Sequence, residues 1–132
     1  MEFCYKFQKE YLKKEYYDII IPVPISRKRL KQRGYNQSYL IAKELAKMLN
    51  IELDDRILQK IKNNSAQSVL NKIEREHNVN NVYKLFNNKN IIGKRILLVD
   101  DIYTTGSTVN ECSKMLKMAK VERVDVLTLA KD

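Results

Sequence analysis

The chain has 132 residues, of which 44% are hydrophobic and 31% charged, and its formal net charge is +9. This length and composition are typical of one soluble globular domain and argue against a disordered chain. No apolar stretch approaches the ~20 residues that cross a bilayer, and the N-terminus lacks the apolar run of a secretory signal. The sequence therefore predicts a cytoplasmic protein without a membrane span, and its charge favours anionic partners.

The first predicted elements are a helix and a strand. Apolar residues recur at helical spacing near positions 3–16, which predicts an amphipathic helix that serves packing. Ile19–Ile21 form a β-branched run, which Pro22 and Pro24 close because proline cannot donate to a sheet ladder. The run predicts a short buried strand.

The stretch Ile25–Gln37 follows this strand and is predicted to be a loop. Between Arg27 and Arg33 it carries five cationic side chains, and Gly34 comes next. Because the stretch leaves the carboxyl end of a buried strand, its cations can face the ligand crevice of an α/β sheet. A solvated run of charges is the alternative. We favour an anion site to which Arg27 and Arg33 contribute.

Two further elements are predicted in the middle of the chain. Asn36–Asn50 carries an apolar stripe at helical spacing, which predicts an amphipathic helix packed on the sheet, with its first residues near the preceding loop. Leu53–Ile61 is predicted to contain a short strand. His77 has no paired nucleophile or metal ligand near it in the sequence, and with two distant cysteines, Cys4 and Cys112, both expected to be reduced, the chain offers no zinc site.

The most informative stretch begins at Ile96. Ile96–Val99 is an uninterrupted apolar run of the kind found in strands buried on both faces. Asp100 and Asp101 end it, Thr104–Thr108 must turn, and apolar residues then recur at helical spacing. The pattern predicts a strand, a tight loop and a helix, and Val124–Leu129 then predicts a closing buried strand.

The predicted loop could hold a phosphate. Backbone N–H groups of Thr105–Thr108 would point out of the helix N-terminus, and hydroxyls beside them add donors. Simple helix capping explains the same residue types, and the pattern leaves both readings open.

The two acids before this loop, Asp100 and Asp101, can share one ligand only if the strand turns at Val99–Ile102, so a turn is expected there. Carboxylates repel a bare phosphate, but they suit a ligand with hydroxyls and bound Mg²⁺.

The order of apolar run, two acids, two residues and Thr104–Thr108 resembles the diphosphoribosyl-binding signature of type I phosphoribosyltransferases. Bacterial receiver domains also carry an apolar run that ends in two acids. That reading is rejected, because only 31 residues follow Asp101, too few for the rest of a receiver domain.

Other blocks resemble the ComF family of competence-associated phosphoribosyltransferase-like proteins. Asp18–Ser26 followed by Arg33–Gln37 matches one block, Gln67–Val79 matches the middle motif, and Tyr83–Phe86 stands where the family has a strand-like aromatic stretch. The resemblance covers residues from Asp18 to Ala130. Lys60, Lys62 and Asn64 occupy positions where relatives commonly carry arginines and a threonine. Relatives often begin with a four-cysteine zinc ribbon, so the chain is expected to be one domain over residues 1–132, N-terminally truncated relative to the family.

The resemblance implies an α/β fold with a mainly parallel sheet flanked by helices. It also implies binding of phosphoribosyl pyrophosphate or a related sugar phosphate, with Mg²⁺ as cofactor, and with or without transfer of the ribosyl group to a nitrogen nucleophile. In that scheme Asp100 and Asp101 are the catalytic residues at the ribose hydroxyls, and no protein metal ligand is assigned. The implied substrate-binding residues are Thr104, Thr105, Gly106, Ser107 and Thr108 for the 5′-phosphate, and Arg27 and Arg33 for pyrophosphate.

The alternative is a single-stranded nucleic-acid-binding or adaptor protein of DNA uptake with a regulatory or vestigial phosphate pocket. The net charge and the family's link to DNA uptake favour it. Single-stranded DNA, competence or replication proteins and a second copy of the chain are the partners left open. The sequence names no acceptor base.

Overall fold

A computed structural model describes residues 16–61, 82–103 and 107–131. Its strands are Ile19–Pro22 (β1), Glu52–Leu53 (β2), Leu58–Lys60 (β3), Tyr83–Leu85 (β4), Arg95–Tyr103 (β5) and Arg123–Lys131 (β6). Its α-helices are Arg27–Arg33 (α1), Gln37–Leu49 (α2) and Ser107–Met118 (α3), and a 3-10 helix covers Asn88–Ile91. Four strands form a parallel sheet in the order β2-β1-β5-β6, and β3 pairs with β4 in a separate antiparallel ribbon.

The central strands β1 and β5 are buried on both faces, because their side chains alternate between two helical layers. One face packs against α2 in a cluster that includes Ile20, Leu97, Val99, Ile41 and Leu45. The other packs against α3 and the ribbon, in a cluster that includes Ile21, Ile96, Leu98, Leu116 and Tyr83. Since the helices that follow β1 and β5 cover opposite faces, the winding of the sheet reverses between these strands. Open α/β sheets bind ligands at such a point, beyond the carboxyl ends of the strands.

The stretch after β1 differs from the prediction. The loop expected over Ile25–Gln37 contains α1, so the prediction of a continuous loop was wrong. The Ser26 side chain accepts a hydrogen bond from the Arg29 N–H and caps the start of the helix, and Gly34, with φ of 84°, closes its end. These two caps allow a strongly cationic segment to form a short helix with no buried residue.

The end of β5 also differs from the prediction. The turn expected at Val99–Ile102 is absent from this described segment, because β5 continues to Tyr103. β6 supplies the reason, since Asp100 pairs with Thr128 and Ile102 with Ala130, so the ladder continues past the two acids.

Several other predicted elements are confirmed. The helix expected over Asn36–Asn50 is α2, with those two residues as its caps. The closing strand expected at Val124–Leu129 is β6, Tyr83–Phe86 contains β4, and Leu53–Ile61 contains β3. The predicted helix near positions 3–16, the middle motif at Gln67–Val79 and His77 lie outside the described residues. None of the helices in the described segments is long and apolar enough to cross a membrane.

Candidate functional site

Asp100 is held by hydrogen bonds from two elements near the carboxyl end of β5. The hydroxyl of Ser38, the second residue of α2, donates to Asp100 Oδ1 at 3.1 Å. The backbone N–H of Asp101 donates to the same oxygen at 2.9 Å. The carboxylate is therefore fixed between the sheet and the start of α2.

Asp100 faces both helical layers of the protein. Along β5 its side chain points to the same face of the sheet as those of Ile96 and Leu98, which belong to the cluster on the α3 face. Its negative charge contributes to the raised pKa of Tyr83 and Cys112 on that face, although Oδ1 contacts Ser38 of the opposite layer. The carboxylate thus lies where the two layers meet, at the reversal point between β1 and β5.

The pKa of Asp100 is raised from 3.8 to about 6. Burial is the largest cause, since it disfavours the charged form, and the neighbouring Asp101 side chain adds to the increase. The hydrogen bonds from the Asp101 N–H and from Ser38 act in the opposite direction. The group is a carboxylate at neutral pH that gains a proton in mildly acidic solution, which suits an acceptor of hydrogen bonds from ligand hydroxyls.

A second group of side chains lies on the α3 face of the site. Burial is the main cause of the raised pKa of Tyr83, and a hydrogen bond with the Thr108 side chain opposes it. Lys60 Nζ is 5.8 Å from the centroid of the Tyr83 ring, and burial lowers the pKa of this amine. Thr108, in the first turn of α3, is thus linked through Tyr83 to a half-buried cation of β3.

The predicted phosphate-binding residues are only partly described. Thr104, Thr105 and Gly106 lie outside the described residues. Ser107 begins α3, and Thr108 follows it in the same turn. The first-turn N–H groups of this 12-residue helix are on the side of the sheet that Asp100 also reaches. The assignment of a phosphate to this turn stays a prediction.

Arg27 and Arg33 are both exposed on α1 but do not form one cluster. They are six positions apart, or about 9 Å along a helix axis, and they lie on different faces of the helix. Arg27 lines a groove, whereas the Arg33 guanidinium carbon is 5.3 Å from the centroid of the Tyr35 ring. The structure therefore separates the two cations that the sequence grouped together.

The groove beside Arg27 collects cations from two elements. It has a volume of about 600 Å³ and lies between α1 and the β3–β4 ribbon, with Lys28, Lys60 and Phe86 also in its lining. We call it the basic groove. Lys84 Nζ lies 5.1 Å from the centroid of the Phe86 ring, so a cation also accompanies the aromatic side chain.

The described residues fit Mg²⁺ only in part. No three His, Cys, Asp or Glu side chains in the described segments are close enough to hold a metal ion. Asp100 and Asp101 are a pair of carboxylates, and Mg²⁺ commonly binds one or two carboxylates together with substrate phosphates and water. The arrangement therefore suits a Mg²⁺ ion that arrives on the phosphates of a ligand.

Sequence analysis did not single out Ser38 or Lys60. The predicted start of a helix at Asn36 indicated that its first residues lie near the crevice, but no spacing relates Ser38 to an acid 62 residues later. Lys60 stood out only as a departure from the arginines of relatives. Its place beside Tyr83 depends on the pairing of β3 with β4, which puts Lys60 directly opposite Tyr83.

The sequence is similar to a phosphoribosyl transferase family model and to competence proteins of two bacteria. A family model described as phosphoribosyl transferase domain matches residues 36–132. Competence protein F of Haemophilus influenzae is 39% identical over 115 residues, covering 86% of this chain and 50% of that protein. Competence protein ComFC of Bacillus subtilis is 33% identical over 131 residues, covering 97% of this chain and 50% of that protein. The chain thus spans about half the length of these relatives.

Solved structures share the fold at low identity. Glutamine phosphoribosylpyrophosphate amidotransferase from Bacillus subtilis, complexed with ADP and GMP, aligns with a TM-score of 0.65 at 20% identity, covering 92% of this chain and 24% of that one. A hypoxanthine phosphoribosyltransferase from Staphylococcus aureus aligns with a TM-score of 0.61 at 16% identity, covering 99% of this chain and 62% of that one. The predicted fold class, a mainly parallel sheet flanked by helices, is confirmed.

Proposed function

The chain belongs to the phosphoribosyl transferase domain family and is ComF-like, and on that premise we propose that it binds phosphoribosyl pyrophosphate together with Mg²⁺. The observation that supports this most directly is the Asp100 carboxylate at the reversal point of the sheet, on the side of the first turn of α3, with the Asp101 side chain near enough to raise its pKa. Carboxylates at that position suit the hydroxyls of a ribose, and the helix start suits a phosphate.

Each part of the ligand has a candidate partner. Although β5 does not turn, the Asp101 side chain lies close enough to raise the pKa of Asp100, so both carboxylates can accept hydrogen bonds from the ribose hydroxyls. The first turn of α3 binds the 5′-phosphate. Pyrophosphate occupies the end of the basic groove at Arg27 and Lys60, whose positive charges offset the charge of the phosphates. A Mg²⁺ ion bound with the pyrophosphate would supply further positive charge.

The same arrangement suits transfer of the ribosyl group to a nitrogen nucleophile. As pyrophosphate leaves, positive charge develops at the anomeric carbon, and fixed carboxylates near the ribose stabilise it. Asp100 is fixed in this way by Ser38 and by the N–H of Asp101. We propose transfer as the activity of the site and a role in handling DNA during competence as its context, in keeping with the names of the relatives.

Isothermal titration calorimetry with three ligands tests the binding proposal. The protein is titrated in Mg²⁺ buffer with phosphoribosyl pyrophosphate, ribose 5-phosphate and pyrophosphate. We expect the first ligand to bind most tightly because it reaches all three subsites. No heat with phosphoribosyl pyrophosphate at millimolar concentration, from a protein with a cooperative thermal transition, would refute the proposal.

A second candidate function is binding of single-stranded nucleic acid in the basic groove. Phe86 is 41% exposed, which leaves its ring available to stack on a base, and Arg27, Lys28 and Lys60 provide contacts for phosphates. Fluorescence anisotropy with a labelled oligonucleotide tests it. We expect Phe86→Ala to weaken binding without changing the salt slope, because it removes stacking and no charge. Unchanged binding by Phe86→Ala would argue against the groove as the DNA site.

A further inference from the structure

Ser38 is buried at the start of α2, where its hydroxyl does not have the hydrogen-bond acceptor that a serine inside a helix commonly uses. Its exposed fraction is 3%, and its hydroxyl donates to Asp100 Oδ1 at 3.1 Å. A serine inside a helix commonly bonds the carbonyl four residues earlier. Ser38 is only the second residue of α2, so the carbonyl four residues before it belongs to Gly34, outside the helix. The hydroxyl is therefore available to a partner in another element.

Asn36 fixes the position of Ser38. The Asn36 side-chain oxygen accepts a hydrogen bond from the Ser38 N–H at 3.1 Å, and the Asn36 amide nitrogen donates to the carbonyl oxygen of Val23 at 3.1 Å. Val23 follows β1, and its own N–H donates to the carbonyl oxygen of Val99 at 2.8 Å. A continuous set of hydrogen bonds thus joins the ends of β1 and β5 to the Ser38 hydroxyl.

We propose that Ser38 is a positioning residue for sugar recognition, because it holds the Asp100 carboxylate by one oxygen and leaves the other for a ribose hydroxyl. Oδ1 receives both the Ser38 hydroxyl and the Asp101 N–H. Oδ2 takes part in neither of these two hydrogen bonds, and it is assigned to the ligand together with the neighbouring Asp101 carboxyl. This inference rests on the proposed function, since it assigns a role toward the ribose of the same ligand.

The orientation matters because the half-buried Asp100 carboxylate can rotate about its side-chain torsions. Without the Ser38 hydroxyl, one of the two hydrogen bonds that favour the charged form of Asp100 is lost. The carboxylate then samples orientations that do not face the ligand, and binding a ribose must restrict them again. The loss should fall on ligands with ribose hydroxyls and spare pyrophosphate, which does not reach Asp100.

Calorimetry on Ser38→Ala, Ser38→Thr and Ser113→Ala in Mg²⁺ buffer tests this role. We expect Ser38→Ala to weaken phosphoribosyl pyrophosphate by roughly tenfold, the order expected for one hydrogen bond to a charged group, and to change pyrophosphate by less than about twofold. Ser38→Thr retains the hydroxyl and should recover most of the affinity. Ser113→Ala removes a half-buried serine hydroxyl from the middle of α3 and serves as the matched control. In an Asp100→Ala background, Ser38→Ala should have no further effect.

Three outcomes overturn the inference. The first is a Ser38→Ala variant that binds phosphoribosyl pyrophosphate as tightly as the parent. The second is an equal loss for both ligands, which would indicate a general structural role, and thermal melts of every variant identify a variant that is not folded. The third is an additive loss in the Asp100→Ala background. If the parent itself does not bind phosphoribosyl pyrophosphate, the proposed function fails and this inference fails with it.

Discussion

Asp18 and Arg95 join the amino ends of the two central strands by four hydrogen bonds. The Asp18 carboxylate accepts from the Arg95 backbone N–H at 2.8 Å and from the guanidinium at 3.1 and 3.2 Å. The Asp18 N–H in turn donates to the Arg95 carbonyl oxygen at 2.8 Å. This pair fixes the register of β1 against β5 at the ends opposite Asp100, so it supports the geometry of the site from a distance.

The first prediction concerns acid stability. The Arg95 side chain and backbone lower the pKa of Asp18 from 3.8 to about 2. A carboxyl group whose pKa is lower in the folded protein than in the unfolded chain stabilises the fold at pH values above the unfolded pKa. This stabilisation is lost as the pH falls from about 4 to about 2. We therefore expect Asp18→Asn to lower the thermal midpoint at pH 7 and to make the loss of stability below about pH 4 shallower. Thermal melts across pH measure both effects.

The exposed acid Asp55 provides the control for that experiment. Asp55→Asn removes the same charge from the loop between β2 and β3 and should leave the acid limb of the stability profile unchanged. Parallel profiles for Asp18→Asn and the parent would contradict the role assigned to the pair.

The second prediction is that Asp100→Asn stabilises the protein at neutral pH. The pKa of Asp100 is raised by burial to about 6, so ionisation of this group opposes folding. The cost is absent below the unfolded pKa near 4 and complete above about pH 6. We expect the thermal midpoint of Asp100→Asn at pH 7 to exceed that of the parent by about 3–5 °C for each kcal/mol recovered, with a smaller difference at pH 4. A midpoint lowered more at pH 7 than at pH 4 would oppose this account.

The third prediction separates ribose from phosphate. Asp100→Asn and Asp101→Asn should weaken phosphoribosyl pyrophosphate by ~1–3 kcal/mol for each charged hydrogen bond given up. Inorganic phosphate should bind the variants as tightly as the parent, or slightly more tightly, because one repelling charge is gone. Titration of both variants with the two ligands in Mg²⁺ buffer provides the measurement. Parallel weakening of both ligands would remove the ribose assignment.

The fourth prediction tests the phosphate loop. Gly106→Val should abolish binding of sugar phosphates while the domain stays folded, because a side chain there would crowd the phosphate or demand a backbone that only glycine tolerates. Calorimetry and a thermal melt of the same sample report binding and folding. A variant that melts like the parent and binds phosphoribosyl pyrophosphate normally shows that the phosphate lies elsewhere.

The fifth prediction uses the charges of α1. Replacing Arg27, Lys28 and Arg29 by alanine should weaken the binding of single-stranded DNA. It should also reduce the slope of log binding constant against log salt concentration by about two to three, because each phosphate contact that is lost no longer releases counterions. Arg33, which lies on another face of the helix, is the comparison. Arg33→Ala should weaken pyrophosphate less than Arg27→Ala, because Arg33 lies outside the basic groove and beside Tyr35; a larger loss at Arg33 would support the pyrophosphate site that the sequence predicted there. Equal losses of both ligands at all four positions would indicate a diffuse basic surface.

The sequence by itself determined the elements and the family. The β-branched run at Ile19–Ile21 and the apolar run at Ile96–Val99 predicted the two central strands, because strands buried on both faces favour such short runs. The apolar stripe predicted α2 almost to the residue. The acids and hydroxyls after Val99 carried the resemblance to phosphoribosyltransferases, which the comparisons confirm. The predicted cytoplasmic location and the Mg²⁺ requirement stay predictions.

Only the tertiary structure decided how the residues of the site meet. Pairing with β6 kept β5 extended through Asp101, and local turn signals in the sequence do not contain that constraint. The helix α1 differs in this respect, since its caps at Ser26 and Gly34 are local features that the sequence prediction overlooked. The contact between Ser38 and Asp100 depends on α2 packing across β1 and β5, and the pKa of Asp100 depends on the resulting burial. These properties arise from packing between distant segments, which a local pattern of residues cannot specify.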